Sequence, residues 1–348
     1  MEKTENSSIP SEGEAVPLNF YFPKNIDNKD IYENRLSKII DRLVLKTETD
    51  IEKCWQLWEK FSPKKSIFQL WDFRYSWYQG WGFKPYFYTI YSGKEPVAVL
   101  PLWFNEIEKK YEWFGGYWPE DNCFFVSENY FILILLKIAP KPILLNAIEE
   151  SDFLLSFKDK YFTYDLPKYV INTSFYKTFD HYLMSLKKKN RHHLRYYYKY
   201  YSSSQMVMKI KWIEGDESRN LYYLKKLSIF DHERKEDGAF SEYRKKQRLK
   251  TFEMIYKNQG IYKIVSLYIW IGDYLAAYDI LGIYNNTLYL LTGAADLKHF
   301  SGLGVYITAI ELKKAWEWGV SSIDCMQVDY NWKHKYFTTK NLLRFSKS

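Results

Sequence analysis

The residues best suited to chemistry lie together in Asp296-Leu297-Lys298-His299-Phe300-Ser301-Gly302-Leu303-Gly304-Val305-Tyr306, between a strand-like stretch and a helix-like one. Glycines at 302 and 304 remove Cβ atoms that would block close approach. Successive main-chain N–H groups can then point at a diphosphate, while the start of the helix adds positive potential. The competing use of the same glycines is simply to make the turn. No Gly-Lys-Ser/Thr follows, so this is not a Walker loop, and the third glycine of the dinucleotide fingerprint is missing.

Other reactive residue types point away from familiar sites. His192 and His193 are helix neighbours whose side chains diverge by about 100°, so they cannot share a metal ion, and no metal site is expected. No Gly-x-Ser-x-Gly elbow occurs. Cys54, Cys123 and Cys325 are far apart and odd in number, which gives neither a disulfide framework nor zinc-type spacing and suits a reducing compartment. Cys325 sits in a hydrophobic strand and reads as core. The basic run Lys187-Lys188-Lys189-Asn190-Arg191-His192-His193-Leu194-Arg195, followed by Lys199, is either a solvated helix face or an anion-contacting surface.

The elements that must position these groups fall into two similar cycles. In the first, Ile51, Cys54, Trp55, Leu57 and Trp58 recur at helical spacing behind the cap candidates Thr49 and Asp50. A second helix is expected over 66–80. The period then changes to two: residues 86–91 and 96–102 around the turn Ser92-Gly93-Lys94-Glu95 predict a hairpin, with a further strand at 110–114 before Gly115-Gly116. In the second cycle, 179–201 predicts one long helix, 207–213 a strand, and 217–231 and 244–257 helices. Three antiparallel strands are expected at 261–271, 274–284 and 287–294, joined by tight turns. The glycine loop, a helix over 305–318 and a strand over 322–328 follow.

With 348 residues and 47% hydrophobic content the chain exceeds one comfortable core, so two domains are expected. The polar, acidic start Met1–Glu14 lacks the pattern of a signal peptide and reads as a disordered lead-in. The longest apolar stretch, Tyr130–Leu136, is far short of the ~20 residues a membrane span requires. A net charge of +8 favours polyanionic partners without naming one.

From about Phe68 to Asp329 the chain resembles the two-domain GNAT-type acetyltransferases related to CelD-like cellulose-biosynthesis proteins, and more distantly the FemABX peptidyltransferases. The resemblance is carried by Gln69, Trp71, Trp77 and Gly82, by Val99-Leu100-Pro101-Leu102, and by Trp113-Phe114-Gly115-Gly116. In the second half it is carried by the basic helix with its Arg-x-x-Leu-Arg core, by Tyr274-Leu275-Ala276-Ala277, by Asp296 and by Ser301-Gly302. The loop lacks the family's proline. The terminal Gly-x-x-x-Tyr-Lys element survives only as residues 326–333, with its glycine lost and Trp332 at the tyrosine position.

The resemblance implies an α/β (α+β) fold of two tandem GNAT-like domains, each a mixed, mainly antiparallel sheet flanked by helices. The implied division is a disordered segment 1–30, an N-terminal domain 31–170 and a C-terminal domain 171–348 with the acyl-donor site. It further implies a cytoplasmic acyltransferase that moves an acyl group from acetyl-CoA or another acyl-CoA to an amine or hydroxyl of a sugar, cell-envelope precursor or small metabolite. Ser301, Gly302, Leu303, Gly304 and Val305 would bind the donor, and Lys333 and His334 would contact phosphate. Acyl transfer needs a base, oxyanion donors and an acid for the thiolate. Asp296 and Asp329 are the base candidates, though both also suit turns or caps, and Tyr306 is the candidate acid. His232, Glu233 and Arg234 form either a surface cluster or part of the acceptor side. Two other readings stand beside this one: a Fem-like aminoacyltransferase drawing on aminoacyl-tRNA, and a degenerate, non-catalytic binding protein for a glycan or protein partner.

Overall fold

The computed structural model describes residues 42–203, 207–230 and 243–348, with Tyr32, Asn34, Arg35 and Lys38. The expected lead-in 1–30, the cluster His232, Glu233 and Arg234, and the end of the helix expected over 217–231 lie outside the described residues.

Two mixed, mainly antiparallel sheets organise the chain. The strands in chain order are β1 (Leu43–Glu48), β2 (Pro85–Ser92), β3 (Glu95–Asn105), β4 (Lys110–Trp113), β5 (Phe125–Val126), β6 (Ile143–Glu149), β7 (Thr163–Tyr164), β8 (Lys168–Asn172), β9 (Met208–Glu214), β10 (Lys263–Ile271), β11 (Tyr274–Tyr284), β12 (Thr287–Ala295), β13 (Ser322–Asp324), β14 (Thr338–Lys340) and β15 (Leu342–Lys347). The first sheet runs β1-β2-β3-β4-β6-β15-β7, with β5 on β3, and the second runs β14-β8-β13-β12-β11-β10-β9. Only β4 with β6 and β12 with β13 pair in parallel among the described strands. The fold is thus the α/β class expected. The division at residue 170 is crossed by β15, which returns from the C-terminal end of the chain to the first sheet.

Strand alternation explains the layering. On β3, Ala98, Leu100 and Leu102 face a core roofed by helix α1 of the apolar run (Tyr130–Ile138 in full), while Val99 and Trp103 face a second core. On β10, Ile264 and Tyr268 join that second core, and Val265, Leu267 and Ile269 join a third beneath the helices 179–185, 188–203 and 303–317. The middle core therefore belongs to both halves. Its helices are Ile51–Phe61, capped by Asp50, whose carboxylate accepts from Lys53 N at 3.0 Å, together with Trp71–Trp81, Tyr222–Ser228 and Lys246–Lys257. Gly80 lies inside the Trp71–Trp81 helix rather than ending it. A Cβ there would sit 2.0 Å from Thr251 Oγ1, so glycine permits the close approach of helices from the two halves.

Two expected elements are shorter than their sequence pattern. The long helix is split into Phe179–Ser185 and Lys188–Ser203. Arg191 Nη1 donates to the carbonyls of Met184 (3.0 Å) and Leu186 (3.3 Å), satisfying the helix end that the break exposes. The strand expected over 322–328 stops at Asp324. Its carboxylate accepts from Met326 N at 2.9 Å, and Met326 and Val328 take positive φ values of 63° and 50°, which turn the chain out of the sheet.

Candidate active site

Strands β12 and β13 pair only over Thr287–Tyr289 and Ser322–Asp324. Beyond that they part, and their continuations, 290–295 and 325–328, line opposite sides of a cavity of about 710 Å³. The glycine loop closes one end. Gly302 adopts φ +76° as the N-cap of the 15-residue helix Leu303–Glu317. The amides of Leu303 and Tyr306 are occupied by Phe300 O and Gly302 O. Those of Gly302, Gly304 and Val305, which all line the cavity, have no acceptor among the described residues. The Tyr197 ring covers the loop so closely that a Cβ at 302 would lie 1.8 Å from it. Tyr201 Oη donates to Ser301 O at 2.8 Å, tying the loop to the basic helix.

Glu120 also lines the cavity, and behind it lies a buried charged cluster formed with Asp121, Lys168 and Asp324. Glu120 and Lys168 are 3% and 2% exposed, and Asp121 and Asp324 are equally buried. Lys168 Nζ lies 2.7 Å from Asp121 Oδ1, 2.5 Å from Asp324 Oδ2 and 3.6 Å from Glu120 Oε2. Burial alone would lower the lysine pKa, but the three carboxylates outweigh it and hold it well above its usual value. Burial pushes Glu120 up to about 8; Lys168 opposes the shift and Asp324 adds to it. Asp279 on β11 and Glu311 on the Leu303–Glu317 helix also line the cavity. Burial first, then the charge and hydrogen bond of Asp279, hold Glu311 well above the carboxylate range. His193 Nδ1 is 2.9 Å from Tyr336 Oη; its pKa is lowered by burial and then by Lys335, Lys189 and His192.

The crystal structure of FemX matches with a TM-score of 0.53 at 12% identity, over 86% of this chain and 96% of that chain. The chain shares its fold with FemX. Further matches are L-PGS from Bacillus licheniformis, with a TM-score of 0.48 at 11% identity over 86% of this chain and 92% of that one, and a tandem GNAT protein from the clavulanic acid biosynthesis pathway, with 0.48 at 9% over 87% and 97%. No protein-family model matches the sequence, and no curated protein sequence does either.

On this FemX-like frame, Ser301, Gly302, Gly304, Val305 and Lys333 reach the cavity, whereas other expected residues do not. Leu303 is fully buried in the core. Asp296, expected as a base, is enclosed and accepts from Tyr274 Oη (2.7 Å), His299 N (3.0 Å) and His299 Nδ1 (2.8 Å). Burial would raise its pKa, but these donors hold it below the usual value, as befits a loop cap. Asp329 likewise accepts from Trp332 N and Lys333 N, each at 2.8 Å, and from His334 Nδ1. Tyr306 packs against Tyr201, 5.1 Å between centroids, within the third core and is not part of the cavity lining. The Lys333 ammonium is spent on the carbonyls of Cys325, Met326 and Gln327, so it braces the parted segment instead of reaching for phosphate. Glu120, Asp279 and Glu311 escaped the reading of the sequence. Their signals are an acidic pair between Pro119 and Asn122 just after Gly115-Gly116, and single acids within an apolar strand and an apolar helix.

Proposed function

We propose that this protein transfers an acyl group from acetyl-CoA or another acyl-CoA to an amine or hydroxyl of a sugar, cell-envelope precursor or small metabolite. One observation carries the reading: the unoccupied amides of Gly302, Gly304 and Val305 crown a helix at the end of a cavity opened by two parting strands. A diphosphate suits such a helix start, where N–H groups and the helix dipole favour negative charge. Ser301 joins this donor set, and the edge of β12 that β13 abandons offers main-chain groups to an amide-bearing arm. The closer affiliation with CelD-like proteins rests on sequence motifs, and the FemX-like fold is compatible with it.

Asp296, Asp329 and Tyr306 are engaged within their own turns or core, so proton transfer falls to groups on the cavity wall. The test is thermal unfolding with acetyl-CoA. Binding only to the folded state stabilises it by about 2.7 kcal/mol at a hundredfold excess over Kd. No upward shift would remove the acyl-CoA reading.

A second reading has its own observation. The Lys188–Ser203 helix lines the cavity with His193 and Tyr197 while Tyr196 and Tyr200 lie exposed among its basic residues. Such a face can contact phosphates and stack bases, as an aminoacyl-tRNA donor requires. Stabilisation by tRNA alone would select it. Silence toward both donors would leave the non-catalytic binding protein.

A further inference from the structure

Glu120 lines this cavity with its hydrogen bonding incomplete. One carboxylate oxygen, Oε1, accepts from Gln327 N at 2.6 Å. The other, Oε2, has no hydrogen-bond partner, although the residue is 3% exposed and lines the cavity. A buried acceptor left without a donor costs about 1–3 kcal/mol, which is retained where a ligand completes it.

The charges around it explain what kind of ligand that is. Three buried carboxylates, Glu120, Asp121 and Asp324, face the single ammonium of Lys168, which lies within 2.7 Å of the two aspartates and farther from Glu120. Lys168 is therefore matched twice over before Glu120 is counted. Neither Arg74 nor Lys333 pairs with the Glu120 carboxylate. Arg74 donates to Phe68 O, Phe114 O and Asn122 Oδ1, touching only the main-chain oxygen of Glu120, at 3.5 Å. Lys333 is held by carbonyls 325–327. Arg248 stacks over Trp77 and Trp118 at 4.8 and 4.9 Å. Ionised above its raised pKa, the Glu120 acid on the cavity lining is complementary to a cation.

We propose that Glu120 binds the ammonium group of an amine acceptor and takes its proton. This rests on the acyl-CoA reading of the same cavity. The ammonium gives one proton to the Glu120 carboxylate. The free amine then forms a C–N bond to the thioester carbonyl, the C–S bond breaks with its electron pair on sulfur, and the second nitrogen proton goes to the thiolate. Glu120 returns its proton to solvent. With Lys168, Asp121 and Asp324 as the charged groups facing it, Glu120 titrates near 8, close to the pKa of the base it must be for a primary ammonium.

The test uses the full chain, wild type and Glu120→Gln, which keeps an oxygen for Gln327 N. Acetyl-CoA is supplied with glucosamine, lysine or putrescine, and with glucose as the hydroxyl counterpart; thiol release is followed from pH 6 to 10. Thermal shift with acetyl-CoA runs in parallel. The expected result is transfer to an amine that rises through pH 8 in the wild type and falls about 10²–10⁴-fold in the variant, with its acetyl-CoA shift unchanged. The proposal is overturned if the variant keeps the wild-type rate and pH limb, if it loses the acetyl-CoA shift together with activity, or if a wild type that binds acetyl-CoA acetylates only glucose or none of the amines. A wild type that shows no acetyl-CoA shift fails one step earlier, at the donor, and takes this proposal with it.

Discussion

Lys168 stands at the seam of the two sheets with three acids around it, and its removal strands buried charge. Lys168→Met leaves Asp121 and Asp324 buried without their partner, a loss expected to cost about 3–5 kcal/mol in urea unfolding at pH 8. The cost should shrink toward pH 5, where the orphaned carboxylates take protons. The wild type has a milder dependence of the same sign. The folded pKa of Glu120, about 8, lies above its ordinary 4.5, so its stability contribution is complete below 4.5 and is lost as pH rises through 8. Melting temperature should fall over that window, and Glu120→Gln should flatten the slope; a variant slope equal to the wild type's would place the titration elsewhere. Gly302 is constrained for another reason. Alanine there must hold φ +76° and push Tyr197 aside, so Gly302→Ala is expected to lose about 1–3 kcal/mol and the acetyl-CoA shift with it. An intact shift would separate the loop from donor binding.

At the scale of elements, local chemistry decides what the sequence reveals. The meander β10–β12 was legible nearly to the residue because alternation and the turns Gly272-Asp273 and Asn285-Asn286 are short-range signals. The glycine loop was legible for the same reason. The break at 186–187 and the early end of β13 were not, since they depend on Arg191 and Lys333 donating to carbonyls and on Asp324 accepting from Met326 N, side-chain to main-chain bonds that leave no periodic signal. The buried charged cluster was hidden likewise: Glu120, Lys168 and Asp324 come from a loop and two strands far apart in the chain. The parting of β12 and β13 leads to its own prediction. Val328, a β-branched residue at φ +50°, is strained, and Val328→Gly should raise stability by about 0.5–1 kcal/mol, measured by the urea midpoint. A loss would mean that its side chain contributes more to the cavity rim than its backbone costs.

At the scale of the molecule, the two halves are not separable bodies. The middle core mixes residues before 126 with residues after 220, the cavity takes Glu120 from one half and the glycine loop from the other, and β15 sits between β6 and β7 of the first sheet. Removing residues 342–348 tests that interdependence. Leu342, Leu343 and Phe345 are buried, and at about 1.5–3 kcal/mol for each buried side chain the truncation forfeits roughly 5–9 kcal/mol. That rivals the 5–15 kcal/mol by which a folded protein is usually stable. It also strips the edges of β6 and β7, exposing unpaired strand groups that invite association. The truncated chain is therefore expected to aggregate or unfold near room temperature, followed by circular dichroism and size-exclusion chromatography. Retention of a cooperative melt within a few degrees of the full chain would show that the returning strand is an accessory and that the first sheet is complete without it.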